Sequence, residues 1–249
     1  MTSFGQYANI LQLLSPDWRV MDLAFDGTGT IDQGAINTSK PLTLLRVAAT
    51  QLNYAVNANN AVNANNADQL AVIDSSLTSG GSGTGSNYGV WCAACTNVML
   101  LGNSMYLNTI NSHNVRLQGV TKFVMSNSTQ TGSDRIEPVT IRGNTQYGVL
   151  SDKKFVDNIV TVKPKNSTSN EYQRDIIFER NWFVSGSNSG SNLNIEGSAI
   201  TIRNNIFDLS IAPGTAITTV YNSTVGAQGQ ARSIFTIIPF IIPLQTTET

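Results

Sequence analysis

Read as apolar and polar positions, the chain writes one short skeleton several times. The segments 97–106 (NVMLLGNSMY), 114–123 (NVRLQGVTKF) and 138–147 (PVTIRGNTQY) align with Val98, Val115 and Val139 in second place. Leu100, Leu117 and Ile141 stand in fourth place, glycine in sixth, and Tyr106, Phe123 and Tyr147 close the segments. Weaker copies begin at Ile159, Asp175 and Ala199, and upstream at Asp22 and Pro41. Alternation of this kind predicts strands with one buried face. The second-place residues fall at 98, 115, 139, 160, 176 and 200, 16 to 24 residues apart, which predicts a repeat unit of about 20 residues. Helical repeats need apolar residues at 3.6 spacing, and hairpins need compact turns, neither of which the pattern shows. Coils stacked into an all-β solenoid account for both periods.

Asn103, Asn144, Asn181 and Asn205 each lie five residues beyond an anchor, with Val120 and Lys165 interrupting the series. Stacked at one turn, their amides are expected to bond from coil to coil. Two stretches leave the pattern. The hexamer AVNANN occurs twice within 55–66, read as a loop or small coil, and 75–89 (SSLTSGGSGTGSNYG) reads as a flexible excursion.

Runs such as DIIFERNWFVSG and AITIRNNIFDLS, within 18–210, resemble the repeats of right-handed parallel β-helix proteins of the pectate-lyase-like type. The resemblance implies a single-stranded right-handed parallel β-helix of about 8–10 coils, one domain over 1–249, with 231–249 as a C-terminal cap or tail. It also implies action on a polysaccharide outside the cell or in the periplasm, by a lyase, a hydrolase or a binding protein. Fold alone does not choose among these.

The bulk composition narrows the partners. The 249 residues are 41% hydrophobic, enough for a core, but only 12% charged, with a net charge of −1. No basic face favours nucleic acid. No basic start followed by an apolar run marks a leader. The most apolar stretch, 234–244, is too short to span a membrane and carries two prolines. Cys92 and Cys95 lack the further ligands that zinc requires, and read as small buried thiols.

In a solenoid the third- and fifth-place residues face outward, and neighbouring strands lie about 4.8 Å apart. The fifth-place series Leu101, Gln118, Arg142, Lys163, Glu179, Arg203 therefore predicts a charged row, with Arg116 beside it. Arginine forks fit carboxylates, which points to a uronate-containing polysaccharide. For β-elimination, Arg116 and Arg142 would neutralise the carboxylate, and His113, Lys153 or Lys154 would take the proton. Lys122, Tyr147, Lys163, Glu179 and Arg203 would bind substrate, with Tyr147 also a candidate proton donor. The plainer readings are a solvated salt-bridge row, a turn residue at His113 and a packing role for Tyr147. A glycosidase would need paired carboxylates, with Asp134, Glu137, Asp152 and Glu179 available. No cofactor is called for; Ca2+ stays an open option without an acidic cluster to hold it. Oligomeric state is not legible.

Overall fold

The protein is described by a computed structural model covering residues 11–26, 36–52, 60–79, 88–107, 113–132, 138–156, 159–163, 173–185, 191–210, 215–219 and 240–242. Among these residues there is no helix, and every strand pairing is parallel. The chain winds as a right-handed β-solenoid. Each coil lays one strand on each of three faces: Tyr88–Ala93, then Asn97–Leu101, then Ser104–Leu107, before His113–Gln118 returns to the first face. The first sheet has nine strands and the second eight. The third face carries a five-stranded sheet and then a four-stranded one.

This register corrects the repeat length. Val90, Val115, Val139, Val160 and Leu193 stack in the first sheet, whereas Val98, Phe123, Gly148, Ile176 and Ile200 stack in the second. The six anchors of the sequence alignment thus came from two faces, and some of the shorter spacings measured the step from one face to the next. A full coil is longer, 25 residues from Val90 to Val115 and 24 from Val115 to Val139. The second AVNANN copy is not a loop either, because Asn60–Asn65 is a first-sheet strand paired with Tyr88–Ala93. The excursion at 75–89 holds the strand Ser76–Ser79 and the start of Tyr88–Ala93, and 80–87 lies outside the described residues. Of the proposed C-terminal cap, the strand Phe240–Ile242 is described, and it pairs with Ile206–Asp208.

Inward residues form vertical columns. Leu44, Val72, Leu100, Met125, Leu150, Phe178 and Ile202 run through the second sheet and are all buried. Phe155, Phe183 and Phe207 stack at 5.1 and 5.0 Å with nearly parallel rings. Each such side chain contributes about 1.5–3 kcal/mol by leaving water. Where one residue is oversized, its neighbour shrinks. Phe123 fills the space above Gly148, and a Cβ at position 148 would fall within the Phe123 ring.

Two corner columns hold the coils in register. Between the second and third faces, Asp22, Arg46, Asp74, Gly102, Asn127, Asp152, Arg180 and Asn204 all have positive φ. Turning the corner there lets the amides of Asp22, Arg46, Asp74, Gly102, Asn127 and Asp152 reach the next coil, as Arg46 N does to the Ile73 carbonyl (3.0 Å) and Asp74 N to that of Leu101 (2.9 Å). The next residue inward is a buried polar column of Ser75, Asn103, Ser128, Lys153, Asn181 and Asn205. Ser75 N donates to Asn103 Oδ1 (3.0 Å), Asn103 N to Ser128 Oγ (3.3 Å) and Asn181 N to Asn205 Oδ1 (2.9 Å). Three of the four expected asparagines therefore form the ladder. Asn144 does not; it is exposed at the corner between the first and second faces.

Substituting Gly148→Ala should lower folding stability by about 1–3 kcal/mol, because the added methyl group overpacks the column. Pairing it with Phe123→Leu should recover most of the loss in thermal denaturation.

Candidate functional site

The outer face of the first sheet gathers aromatic and cationic side chains from successive coils. Trp91 lies opposite Arg116, which lies opposite Thr140, while Gln118, Arg142 and Lys163 align one step along the strands. The strand Tyr88–Ala93 breaks simple alternation with consecutive buried residues at its start, as His113–Gln118 does. Tyr88, at the start of its strand, is buried yet reaches the outward-facing Arg116 with its hydroxyl.

Arg116 is held from several sides. Its guanidinium sits 4.5 Å from the Trp91 ring centroid, Nη1 donates to Tyr88 Oη (2.8 Å), and Nη2 donates to Gln118 Oε1 (2.9 Å). Its Nε is buried and has no hydrogen-bond partner among the described residues. His113 stacks on Tyr88 at 5.6 Å, and its Nδ1 lies 3.0 Å from Thr140 Oγ1. Arg142 and Lys163 are half-buried neighbours across one interstrand step.

The remaining sequence candidates lie elsewhere. Glu179 and Arg203 are paired on the second sheet, 2.6 Å apart, so the expected single charged row divides between two faces. Lys122 is exposed at the start of Lys122–Ser126, an interior strand of the second sheet. Tyr147, also on the second sheet, is exposed at φ 53° with Arg174 over its ring at 5.5 Å. Lys154 is on the third face, 4.0 Å from the Trp182 ring centroid. Lys153 is enclosed in the solenoid, away from the face that carries Arg116. Its ammonium donates to the Ser128 carbonyl. No ladder joins the strands Thr129–Gly132 and Lys154–Val156, and Lys153 bridges that break. Burial pushes its pKa well down.

The glycosidase candidates are compensated as ion pairs. The Arg180 guanidinium beside Asp152 holds its carboxyl at about 2, and Arg203 and Arg180 lower that of Glu179. A lowered pKa is the opposite of the raised value that a glycosidase general acid uses. Asp134 and Glu137 lie outside the described residues. No group of three or more His, Cys, Asp or Glu that could hold a metal occurs among the described residues. Cys92 and Cys95 are free, buried thiols whose sulfurs lie 3.2 Å apart, and Cys95 Sγ also meets the Ala64 carbonyl (3.5 Å). No helix among the described residues is long and apolar enough to cross a membrane.

Tyr88 and Trp91 escaped the sequence reading, whereas Thr140 stood in the outward third-place column beside Arg116 without a role of its own. Trp91 could have been found by continuing the Arg116 column one coil upstream. No family model matches the chain, and no curated protein matches it either.

A lysine whose folded pKa is depressed disfavours the fold at every pH below its unfolded pKa, most strongly at low pH. That cost is present at neutral pH and vanishes above the unfolded value of about 10.4. Lys153→Met should therefore melt higher than the native chain at pH 7, with the gap narrowing toward pH 10. Melting curves of both proteins across this range provide the check.

Proposed function

We propose that the protein is carbohydrate-active, in the manner of the pectate-lyase-like solenoids, and that it engages an acidic polysaccharide along the outer face of its first sheet. The observation that carries this reading is the half-filled fork of Arg116. A carboxylate binds guanidinium best through two parallel hydrogen bonds. On Arg116 the Nε–Nη2 edge has Gln118 Oε1 on Nη2 and nothing among the described residues on Nε. An unpaired buried donor costs about 1–3 kcal/mol, which an incoming carboxylate would relieve by displacing the flexible Gln118 amide. Trp91 offers an aromatic surface beside the fork, and Arg142 and Lys163 extend positive charge along the coils.

The same arrangement supports β-elimination from a 4-linked uronate. Cations neutralise the carboxylate and acidify the C5 proton. His113 is the one proposed base on the sheet that holds Arg116. In the tautomer with hydrogen on Nδ1, Thr140 Oγ1 accepts that hydrogen and Nε2 carries the lone pair. Nε2 takes the proton as the C5–H bond breaks, its electron pair forms C4=C5, and the C4–O pair leaves with the departing chain. That chain departs as an oxyanion that takes a proton from water, and the imidazolium then loses its proton to solvent. A substrate of this class places the protein outside the cell or in the periplasm. The second reading is binding without cleavage. It is favoured by the fixed lodging of Arg116 on the buried Tyr88 hydroxyl, which suits recognition as well as catalysis.

Gln118→Glu should fill the Arg116 fork internally and weaken binding of alginate or pectate at least tenfold, while Gln118→Ala should retain or strengthen it. Calorimetric titration with defined uronate oligomers measures both. The ultraviolet band of unsaturated ends should rise with the native protein and disappear with His113→Ala. Binding without that band would leave the recognition reading alone, and no binding at all would remove both.

A further inference from the structure

The two thiols take no part in the proposed glycan site, yet the fold brings them into contact. Cys92 belongs to the core side of the strand Tyr88–Ala93, and Cys95 sits in the corner that leads on to Asn97–Leu101. Ala94 between them has a φ of 52°, and this left-handed turn directs both side chains to one point of the interior. Their sulfurs lie 3.2 Å apart, with the Cys92 S–H donating to Cys95 Sγ. The same two places hold Ala64 and Ala67 in the preceding coil and Leu117 and Val120 in the following one. All four are buried and apolar. Cys95 Sγ also lies against the carbonyls of Ala64 (3.5 Å) and Ala93 (3.7 Å). Packing alone would be served by any small apolar pair, as the alanines show, whereas two thiols in contact carry a reaction that no such pair has.

We infer that Cys92 and Cys95 are a redox-active dithiol that closes to a disulfide within a single coil, with a small-molecule disulfide as oxidant. The bond requires the sulfurs to approach from 3.2 Å to about 2.05 Å, a step that turning the two Cα–Cβ bonds supplies. Cys95 is the attacking group. The S–H that it accepts from Cys92 lowers its pKa, while burial raises that of Cys92, and the thiolate is the nucleophile. Ala94 and Thr96 on either side are exposed, so the corner backbone is what separates Cys95 from solvent. The Cys95 thiolate attacks one sulfur of the oxidant, whose S–S bond breaks, and the other half leaves as a thiolate that takes up a proton. Cys92 then loses its proton and attacks Cys95 Sγ, expelling the second half of the oxidant in the same way. Two protein thiols are thereby oxidised by two electrons, and one oxidant disulfide is reduced to two thiols. The closed bond staples the turn between the first and second faces, and the inference stands independently of the proposed glycan site.

The test is the equilibrium of the full chain with mixtures of reduced and oxidised glutathione, measured folded and in denaturing urea. After acid quenching, free thiols are alkylated and the closed fraction is read by mass spectrometry. Where glutathione enters the folded chain slowly, refolding from urea in the same mixture reaches the same equilibrium. The folded chain should close with an equilibrium constant about tenfold or more above that of the denatured chain, because the fold already holds the sulfurs in contact. Oxidised native protein should accordingly melt higher than reduced, with dithiothreitol reversing the shift, and the double variant Cys92→Ala, Cys95→Ala should melt alike in both buffers. An equal or smaller constant in the folded chain, a bond between chains in place of one within the coil, or a melting shift that persists in the double variant would overturn the inference.

Discussion

A coil of a parallel solenoid has hydrogen-bonding neighbours only above and below it, so the whole structure depends on vertical register. Backbone amides at the corners must meet carbonyls of the adjacent coil, or they would be buried unpaired at a cost of about 1–3 kcal/mol each. The chain meets this constraint by repeating a left-handed residue at one corner for eight coils and placing a buried polar side chain just after it in six of them. Much of the remainder follows from that alignment. Once the corners coincide, apolar columns face one another, Phe123 finds the gap at Gly148, and the phenylalanines of the third face stack.

Register also turns sequence separation into proximity. Trp91, Arg116 and Thr140 are distant along the chain but consecutive across the first sheet. The buried Tyr88 hydroxyl and the Trp91 ring fix the Arg116 guanidinium, a contact set worth about 0.5–2 kcal/mol for the cation–ring component alone. A side chain held in this way loses little further entropy on meeting an anion. The charged corner of the second face behaves differently. Asp152, Glu179, Arg180 and Arg203 satisfy one another in an exposed network that contributes to register but leaves little unmet charge.

The fold was legible because its alternation and its long period are written directly in residues such as Val98, Val115 and Val139. The register was less so, since both long sheets bury valine, leucine and isoleucine in the same two-residue rhythm, which does not encode the face. Hence Glu179 and Arg203 aligned with Lys163 on paper but lie on another sheet. Lys153 lies between the exposed Asp152 and Lys154, and only the corner geometry turns it inward. Tyr88 and Trp91 were overlooked because they precede the first clear repeat, and Gly89 disturbs the alternation between them.

The register itself can be measured by cross-linking in a chain with Cys92 and Cys95 replaced by alanine. Cysteines at 142 and 163, adjacent across the first sheet, lie within the Cα separation of about 4.4–6.8 Å that a disulfide spans. They should link readily under mild oxidation, while cysteines at 163 and 179, on different faces, should stay reduced. Linking of the second pair in preference to the first would contradict the account.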